Sequence, residues 1–581
     1  MGDNVVERVL VVALPAAFLG SFAVGWFSTP LSVGVGDWDQ MFSDAWVSVQ
    51  AFLERGRPPL WSIQISGGAP LAANPQSLSF SPLLLVPAAL GPIVGLKVLS
   101  ALLIGAGFIG CYHLGRRWIG DSLGAAAFAF VFVFSGYFAI HFRAGHFPWA
   151  FFYVVPWILL FADRLLFESV PTYWSSVGLL VSLVVLFSGP VYQALVFLFL
   201  PVGAIYGFVS RRDIGLIRAG YLLLLILCAL LITMPRWIAI VDWQVRTPRY
   251  VPGHGGMPLL EMGQMLFMPI EDYNFRVLWG GSGLWEYWSY AGMVAGLVAL
   301  ASIRVRARWR QLARGFIIAG LILAWRGPWG SLLEWISPYL PIAPSVRVYS
   351  RFLVLVVLGI ALLAGGGLAT LRQHATTRGL FWAPTLLVIA MAADYYIVVH
   401  PIWSRVFSLR PDEAYSDWGL SLRDPPYSVV RSAPFTLESA NAGGEFNSRM
   451  LPLLMGGAVV ANAYATLNGV PWMERRDGKV VESLPEDAYK LTNHNLEFWG
   501  DFTPGQEIAI NLHFVKAYWK VDDPKVARIY DDDGPIRLQI LEPCHHVRIT
   551  MRSGWESAGW AAAGIGFLLA AVAPWRFTSR S

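Results

Sequence analysis

The chain has 581 residues, of which 56% are hydrophobic and 14% are charged, and its mean hydropathy is +0.52. Soluble globular proteins carry about 25% charged residues, so this composition excludes an ordinary soluble protein. The formal charge of +5 is modest and the basic residues lie between apolar runs, which argues against a nucleic-acid-binding protein. The three cysteines provide neither a disulfide framework in the polar segments nor a CxxC zinc motif.

Twelve apolar runs are predicted to be membrane-spanning helices, because a helix needs ~20 mostly apolar residues to cross a bilayer. In chain order they are 9–28, 93–114, 121–140, 148–166, 174–188, 191–209, 215–234, 288–303, 315–326, 352–371, 380–399 and 557–574. No internal repeat at a fixed period divides them into equivalent halves.

The positions of the arginines predict how these spans are oriented. Alternate loops and the C-terminal tail carry them: Arg116, Arg117, Arg164 beside Asp163, Arg211, Arg212, five arginines between 304 and 314, Arg372, Arg378, Arg576 and Arg580. Since positively charged loops stay in the cytoplasm, we predict a multi-pass protein of the inner (plasma) membrane with both termini cytoplasmic.

The opposite, outward face carries the long polar segments, at 29–92, 235–287, 327–350 and 401–555. The last of these contains the runs EIAINLHFVKAYWKV and IRLQIL, which are typical of β-strands. We therefore predict a transmembrane module over 1–400, a small extracytoplasmic α+β or β-rich domain over 401–555, and a last transmembrane helix with a cytoplasmic tail over 556–581.

Asp37 and Asp39 directly follow the first predicted span and are the first candidates for chemistry. A carboxylate at the membrane surface can act as a general base or hold a metal ion. The apolar residues of 41–54 recur at helical spacing, which predicts an amphipathic helix lying in the membrane interface. The alternative is that the two acids only cap this helix.

Four basic residues on the outward face are candidates for binding a lipid phosphate. Arg143 and His146 lie together in the short connection HFRAGHFPW, where the alternative is anchoring of the chain at the interface. Arg347 and Arg351 are four residues apart, so on a helix they share one face. The positive-inside rule disfavours arginines on the outward face. We favour phosphate binding over snorkelling as the reason why these two are found there.

The outward segment 235–287 mixes carboxylates, including Glu261 and Glu286, with tryptophans. Aromatic faces stack on sugar rings and carboxylates accept hydrogen bonds from sugar hydroxyls, so this composition favours a carbohydrate ligand. Asp394, near the end of an apolar run, is a further functional candidate because acids are costly within membrane segments. The alternative is that it reaches water at the interface.

These features resemble a known family. A first outward loop that opens with an acid near the membrane and continues into an amphipathic helix is similar to that of the GT-C glycosyltransferases, membrane enzymes that take a sugar from a polyprenyl-phosphate carrier. More narrowly, the chain resembles the YfhO-type bacterial membrane proteins. The matching residues are Asp37, Gln40, Trp61, Gly67, Gly68, Ser81, Pro82, Arg347 and Arg351, together with the stretch LHFVKAYWKVD.

The resemblance implies a polytopic α-helical membrane protein with about 12 transmembrane helices, a GT-C-like fold and a small extracytoplasmic domain. It implies transfer of a sugar, with inversion, from a polyprenyl-phosphate donor to an extracytoplasmic glycan or protein acceptor. Asp37 or Asp39 would be the general base. The departing lipid phosphate would be bound by Arg347, Arg351, Arg143 and His146, and the substrate by Gln40, Trp61, Glu261 and Glu286. No residue is assigned to a metal, and a divalent metal cofactor is left open.

Two other functions fit the predicted topology. Twelve spans with both termini inside also occur in secondary transporters, although the first outward loop is long and a sizeable outer domain interrupts the last two spans. A non-enzymatic protein of cell-envelope assembly, with the outer domain as its partner surface, is the second alternative.

Overall fold

The computed structural model of the chain describes most of its residues. These are 5–62, 71–168, 173–210, 214–246, 256–269, 284–302, 305–327, 330–332, 348–377, 380, 382–409, 437–439, 459–461, 473–476, 481–482, 489–491, 495–513, 519–530, 535–551 and 556–578. Of the residues singled out by the sequence, Arg347 and the glycines at 67 and 68 lie outside the described residues. The same holds for Arg211, Arg212, Arg304, Arg378 and Arg580 of the arginine pattern and for 514–518 within the stretch LHFVKAYWKVD.

Helices dominate the first 400 residues and return at the C-terminal end. In chain order they are α1 (Val5–Ser28), α2 (Trp38–Arg55), α3 (Leu85–Leu90), α4 (Pro92–Ile119), α5 (Ser122–Val133), α6 (Gly136–Arg143), α7 (Val155–Phe167), α8 (Tyr173–Ser188), α9 (Val191–Gln193), α10 (Leu200–Ser210), α11 (Leu216–Ile232), α12 (Met234–Arg246), α13 (Leu259–Phe267), α14 (Met293–Leu300), α15 (Arg308–Ala324), α16 (Leu353–Thr377), α17 (Ala383–Val398), α18 (His400–Ser404) and α19 (Glu556–Thr578). Short 3₁₀ turns at Pro82–Leu84, Phe147–Val154, Leu284–Glu286 and Tyr349–Phe352, and a π-helical turn at Ala194–Phe199, connect or extend them.

Each of the twelve predicted spans overlaps at least one of these helices. Among the described residues, six segments are long and apolar enough to cross a membrane: Val11–Ser28, Pro92–Ile119, Ser122–Arg143, Phe147–Phe167, Val191–Ser210 and Tyr349–Ala375. A seventh, formed by α11 and the first part of α12, is bent by 69°. The chain is therefore a multi-pass helical membrane protein, while the count of twelve crossings and the cytoplasmic location of the termini stay predictions.

The helical part is built around α16, which packs against α5, α14 and α15. Glycines let two of these backbones touch, because a Cβ on Gly365 would collide with the carbonyl oxygen of Gly124 in α5. Small residues are the usual means by which helices in membranes pack closely. Substitution of either glycine would push α5 and α16 apart.

Ion pairs hold together several of the loops that the arginine pattern assigned to one side. Asp163 at the end of α7 contacts Arg117 of α4 and lies 3.9 Å from Arg308 of α15. Arg372 near the end of α16 pairs with Asp121 at the start of α5. These contacts agree with the prediction that the helix ends concerned share one side of the membrane.

Two short strands lie between α15 and α16, and the others follow α18. They are β1 (Arg326–Gly327), β2 (Gly330–Ser331), β3 (Leu437–Ser439), β4 (Val459–Ala461), β5 (Met473–Arg476), β6 (Val481–Glu482), β7 (Tyr489–Leu491), β8 (Asn495–Phe502), β9 (Glu507–His513), β10 (Trp519–Val521), β11 (Ala527–Tyr530), β12 (Pro535–Ile540) and β13 (Cys544–Met551). Two antiparallel sheets have the strand orders β11-β12-β9-β5-β6 and β10-β13-β8-β7, β1 pairs with β2, and β3 pairs in parallel with β4. The described residues thus include a strand-containing C-terminal region, while the domain boundaries at 401 and 555 and its extracytoplasmic location stay predictions.

A small apolar core joins this β-region to the first outward loop. Trp61 is fully buried, and its ring meets those of Trp243 on α12 and Trp519 on β10 edge to face, each at a centroid distance of 6.2 Å. Edge-to-face pairs of this kind stabilise by about 0.5–1.5 kcal/mol beyond their buried area. The β-region and the first loop are therefore held together by shared aromatic contacts.

Candidate functional site

Lys97 fixes the point at which the chain leaves α1. Its buried ammonium lies 2.9–3.3 Å from the carbonyl oxygens of Trp26, Thr29 and Pro30 and from the hydroxyl of Ser32. The last carbonyls of a helix have no partner within the helix, and a cation there is favourable. The beginning of the first outward loop is consequently held against α4.

The start of α2 is held against the turn at 144–146. Asp37 is the N-cap residue of α2, and its backbone N–H donates to the carbonyl oxygen of Ala144 at 2.9 Å. Gly145 has φ +88°, and a Cβ there would collide with the backbone nitrogen of Trp38, so this position requires glycine. The close approach brings His146 to the first turn of α2.

The carboxylate of Asp37 faces His146. It makes no capping hydrogen bond to α2, so capping does not account for it, and its side chain is 38% exposed. One carboxylate oxygen, Oδ2, lies 3.6 Å from Nε2 of His146. On the other side of the same ring, Nδ1 of His146 lies 2.8 Å from Nδ1 of the buried His141. Three titratable groups therefore form one chain of contacts.

Trp149 joins this chain to an arginine. Its ring packs against both histidine rings, at centroid distances of 4.5 Å to His141 and 4.9 Å to His146. The guanidinium of Arg351 lies over the same indole, 4.9 Å from the ring centroid. The indole N–H of Trp149 donates to the hydroxyl of Tyr137, which in turn donates to the carbonyl oxygen of Arg351. We call these five residues the Asp37 cluster: Asp37, His146, His141, Trp149 and Arg351. Each of them contacts at least one other member.

Arg351 is bound by Glu286 through two hydrogen bonds. Nε donates to Oε2 at 2.7 Å and Nη2 donates to Oε1 at 2.6 Å, and the two side chains are only 13% and 8% exposed. This is the bidentate geometry that suits guanidinium and carboxylate. Among the described residues, no protein atom accepts a hydrogen bond from the remaining nitrogen, Nη1. The pair is therefore almost neutral but retains one unused donor group.

The two candidate bases differ in access. Asp39 is 5% exposed, whereas Asp37 is more than a third exposed. A base must come within hydrogen-bond reach of the hydroxyl from which it takes a proton. Of the two acids that the sequence left equivalent, Asp37 is the one that an acceptor can approach.

Several predicted site residues lie away from this cluster or have other contacts. Arg143 donates to the carbonyl oxygen of Arg405, Gln40 is half-buried on α2, and Trp61 lies in the aromatic core described above. Burial raises the pKa of Glu261 on α13, and none of its described contacts joins it to the Asp37 cluster. The predicted roles of these residues in substrate or phosphate binding stay predictions.

Two buried charged residues near the first loop were not singled out by the sequence. Asp44, on α2, is 6% exposed and accepts a hydrogen bond from the amide of Asn74 at 3.4 Å, and burial raises the pKa of Asp44 to about 7. Arg236 is fully buried, and its Nη2 donates to the carbonyl oxygens of Asn74 and Ser77. Asp44 follows Asp37 by seven residues, which is two helical turns on one face. That spacing is the feature of the sequence from which Asp44 could have been identified as a candidate.

Other candidates are explained by local structure. Asp394 accepts hydrogen bonds from the hydroxyl of Tyr290 and, at 3.1 Å, from the backbone N–H of Val294 at the start of α14. It therefore caps a helix. Within the described residues, no group of three or more histidine, cysteine, aspartate or glutamate side chains has a metal-binding arrangement.

Comparison with known proteins gives only distant similarities. No family model matches the chain, and no curated protein matches it. The arabinofuranosyltransferase AftD from Mycobacteria matches 71% of this chain and 28% of its own length, at 14% identity and a TM-score of 0.43. ArnT from Cupriavidus metallidurans, bound to undecaprenyl phosphate, matches 70% of this chain and 79% of its own, at 15% identity and a TM-score of 0.42. ArnT in the apo state gives 16% identity and a TM-score of 0.41.

The chain thus spans less than a third of the length of AftD. None of these matches is to a YfhO-type protein. At this level of similarity they assign neither family nor activity. The feature of this chain that bears on function is therefore the Asp37 cluster.

Proposed function

We propose that the chain is a membrane glycosyltransferase that moves a sugar from a polyprenyl-phosphate donor to an extracytoplasmic acceptor, with inversion. The observation that carries the proposal is the Asp37 cluster, in which a partly exposed carboxylate and an arginine with an unused donor group belong to one set of packed side chains. These two groups are the ones that such a transfer requires, a proton acceptor for the attacking hydroxyl and a donor for the departing phosphate.

The proposed step is a single displacement. The acceptor hydroxyl oxygen forms a bond to the anomeric carbon while the bond from that carbon to the lipid phosphate oxygen breaks. The phosphate leaves with the electron pair, and the hydroxyl proton goes to the carboxylate of Asp37. Nη1 of Arg351 donates to the departing phosphate, where negative charge develops. Because one displacement occurs, the anomeric configuration inverts.

A sugar is proposed as the transferred group because the first loop resembles that of the GT-C glycosyltransferases. Trp149 is 2% exposed, and its ring packs against His141, His146 and the guanidinium of Arg351. Its role in the cluster is therefore to hold the polar groups in place. A lipid carrier fits a site built from loops that join apolar helices.

The test uses purified protein in lipid nanodiscs, undecaprenyl-phosphate-linked pentoses and hexoses, and water-soluble oligosaccharide acceptors. Release of undecaprenyl phosphate is followed by mass spectrometry, and the anomeric configuration of the product by NMR. Loss of a general base lowers rates by about 10²–10⁴-fold, and we expect Asp37→Asn to fall in that range. Asp501→Asn, at a 90% exposed position of the β-region, is the control and should keep full activity.

Two results contradict the proposal. Full activity in Asp37→Asn removes Asp37 as the base, and Asp39→Asn in the same assay shows whether the buried neighbour takes its place. No phosphate release with any donor, combined with sugar or ion flux into proteoliposomes, indicates the alternative of a transporter. Thermal stabilisation by undecaprenyl phosphate alone tests binding separately, because a ligand that binds only the folded state raises its stability.

A further inference from the structure

Both ring nitrogens of His146 face polar groups of the protein. Nε2 faces the carboxylate of Asp37 at 3.6 Å, and Nδ1 lies 2.8 Å from Nδ1 of His141. Its side chain is only 11% exposed. A phosphate ligand needs an N–H that points away from other acceptors, and these contacts leave His146 poorly placed for that role. The position of His146 beside the proposed base points to a role in relation to that base.

The short contact between the two histidines determines how they share protons. Two imidazole nitrogens at hydrogen-bond distance need one proton between them, so one ring donates and the other accepts. Asp37 is negatively charged when ionised, and an N–H at Nε2 of His146 places a partial positive charge 3.6 Å from one of its oxygens. With that proton on Nε2, a neutral His146 has an unprotonated Nδ1, and His141 must therefore donate its Nδ1–H.

We infer that His146 and His141 are positioning residues for Asp37. A hydrogen bond joins Nδ1–H of His141 to Nδ1 of His146, and Nε2–H of His146 makes an electrostatic contact with the carboxylate oxygen 3.6 Å away. This inference rests on the proposed function, because it assigns a role relative to the base of that reaction. The donor at Nε2 keeps the carboxylate oriented and in its ionised form. His141 acts through His146 by fixing which of its nitrogens carries the proton, as second partners of catalytic imidazoles commonly do.

The surroundings hold this arrangement in place. His141 is 1% exposed, and the rings of Tyr137 and Trp149 pack against it at centroid distances of 4.6 and 4.5 Å. Among the described residues, the titratable and charged groups shown around the two histidines are Asp37, Tyr137, Arg351 and Glu286. Arg351 is paired with Glu286, and the charged group shown in contact with His146 itself is Asp37. A proton on Nε2 is favoured by that charge.

Four variants separate a positioning role from simple packing. His146→Gln places an amide N–H near the position of Nε2, while His146→Ala removes the donor. His141→Asn places an amide N–H near Nδ1, while His141→Phe keeps the ring volume and removes the donor. Loss of the donor to the base should lower kcat by roughly 10- to 100-fold, and each amide variant should recover most of that loss. KM for the lipid donor should stay unchanged.

The pH profile provides a readout that packing alone would not change. A hydrogen-bond donor or positive partial charge beside a carboxylate lowers the pKa of that carboxylate. Removing the His146 side chain should therefore raise the pKa of Asp37. The acid limb of kcat should therefore move to higher pH in His146→Ala and return towards its original position in His146→Gln. In the Asp37→Asn background, His146→Ala should produce no further loss of rate. A raised KM for the lipid donor with an unmoved acid limb would overturn the inference in favour of phosphate binding.

A spectroscopic test does not depend on activity. In protein with ¹⁵N-labelled histidine, the wild type should show His146 protonated at Nε2 only and His141 protonated at Nδ1, with assignment from the four variants. Asp37→Asn removes the charge and should weaken the preference of His146. The opposite tautomers in the wild type refute the inference even if Asp37 proves to be the base. Correct tautomers in a protein without transferase activity would instead contradict the proposed function.

Discussion

Removing Glu286 alone should be one of the most destabilising single substitutions near the Asp37 cluster, because it leaves the charge of Arg351 unpaired. Glu286→Ala removes two hydrogen bonds of 2.6 and 2.7 Å and leaves the guanidinium of Arg351, whose side chain is 13% exposed, without the one counter-charge shown for it among the described residues. Hydrogen bonds to charged groups contribute about 1.5–3 kcal/mol each. Removing one member of a buried ion pair costs about 3–5 kcal/mol, and we expect Glu286→Ala to fall in that range.

Replacing both residues together distinguishes the cost of an unpaired charge from the net contribution of the ion pair. Replacing both members of a buried ion pair by apolar residues of similar volume is often neutral or stabilising. Glu286→Leu combined with Arg351→Met should therefore be more stable than Glu286→Ala alone. Glu286→Gln, which keeps the shape and one acceptor, should lie between wild type and Glu286→Ala. Apparent thermal midpoints of protein in detergent give the order of the four proteins.

The control is the pair of His545 and Asp501 in the β-region, whose side chains are 87% and 90% exposed. An exposed pair contributes little, ~0–1 kcal/mol, so Asp501→Ala should leave the midpoint unchanged. The reasoning fails if Glu286→Ala behaves like Asp501→Ala, or if the double variant is no more stable than Glu286→Ala. Either result would mean that Arg351 finds another partner or reaches water.

Two further predictions concern buried charges near the first loop. Because the folded pKa of Asp44 is raised from 3.8 to about 7, the folded state binds the extra proton, and stability should fall as pH rises from about 4 to 7, by an amount of order 4 kcal/mol. Asp44→Asn should flatten that decline in thermal midpoints measured across this range, and parallel curves for the two proteins would contradict it. Lys97→Met should lower the thermal midpoint and transferase activity together, since it leaves the carbonyl oxygens at the end of α1 without their donor. Lys520→Met, at an exposed position of β10, is its control, and an equal effect of both substitutions would show that no special contact is lost at Lys97.

Local sequence patterns were sufficient for the helices and for the position of Asp37. Runs of apolar residues identify helices in a membrane protein because every backbone group there must be bonded internally. The acid that follows the first run is likewise visible in the sequence. The sequence left two alternatives for that acid, a helix cap or a base. The structure shows that the Asp37 side chain makes no capping hydrogen bond, and its role as the base stays a prediction.

Contacts between distant segments were not predictable. The sequence pairs Arg351 with Arg347 by spacing, whereas the structure pairs it with Glu286, which lies 65 residues earlier. Trp61 was expected to contact substrate on the strength of a resemblance, and the structure shows its packing against tryptophans of α12 and β10. Neither contact leaves a periodic signal, because tertiary packing decides both.

The helix at 41–54 illustrates a different limit. The predicted helix is present as α2, but its polar residues do not form an exposed face, since Ser43, Asp44, Ser48 and Gln50 are all buried. The spacing of apolar and polar residues along a helix indicates which side chains share a face, but not what covers that face. Here the residues around 74–79 cover part of the polar face, as the contacts of Ser48 with Ser77 and Ser79 demonstrate.

The contacts of α1 have a consequence for the order in which the protein is assembled. The indole N–H of Trp26 donates to the carbonyl oxygen of Trp403, which is 377 residues later in the chain, and Val33 pairs with Leu409. At about 5–20 residues per second, the ribosome supplies these partners roughly 20–75 seconds after α1 is made. α1 must therefore wait in the membrane for α18, and Asp37 reaches its final position only after the chain has been synthesised as far as residue 409.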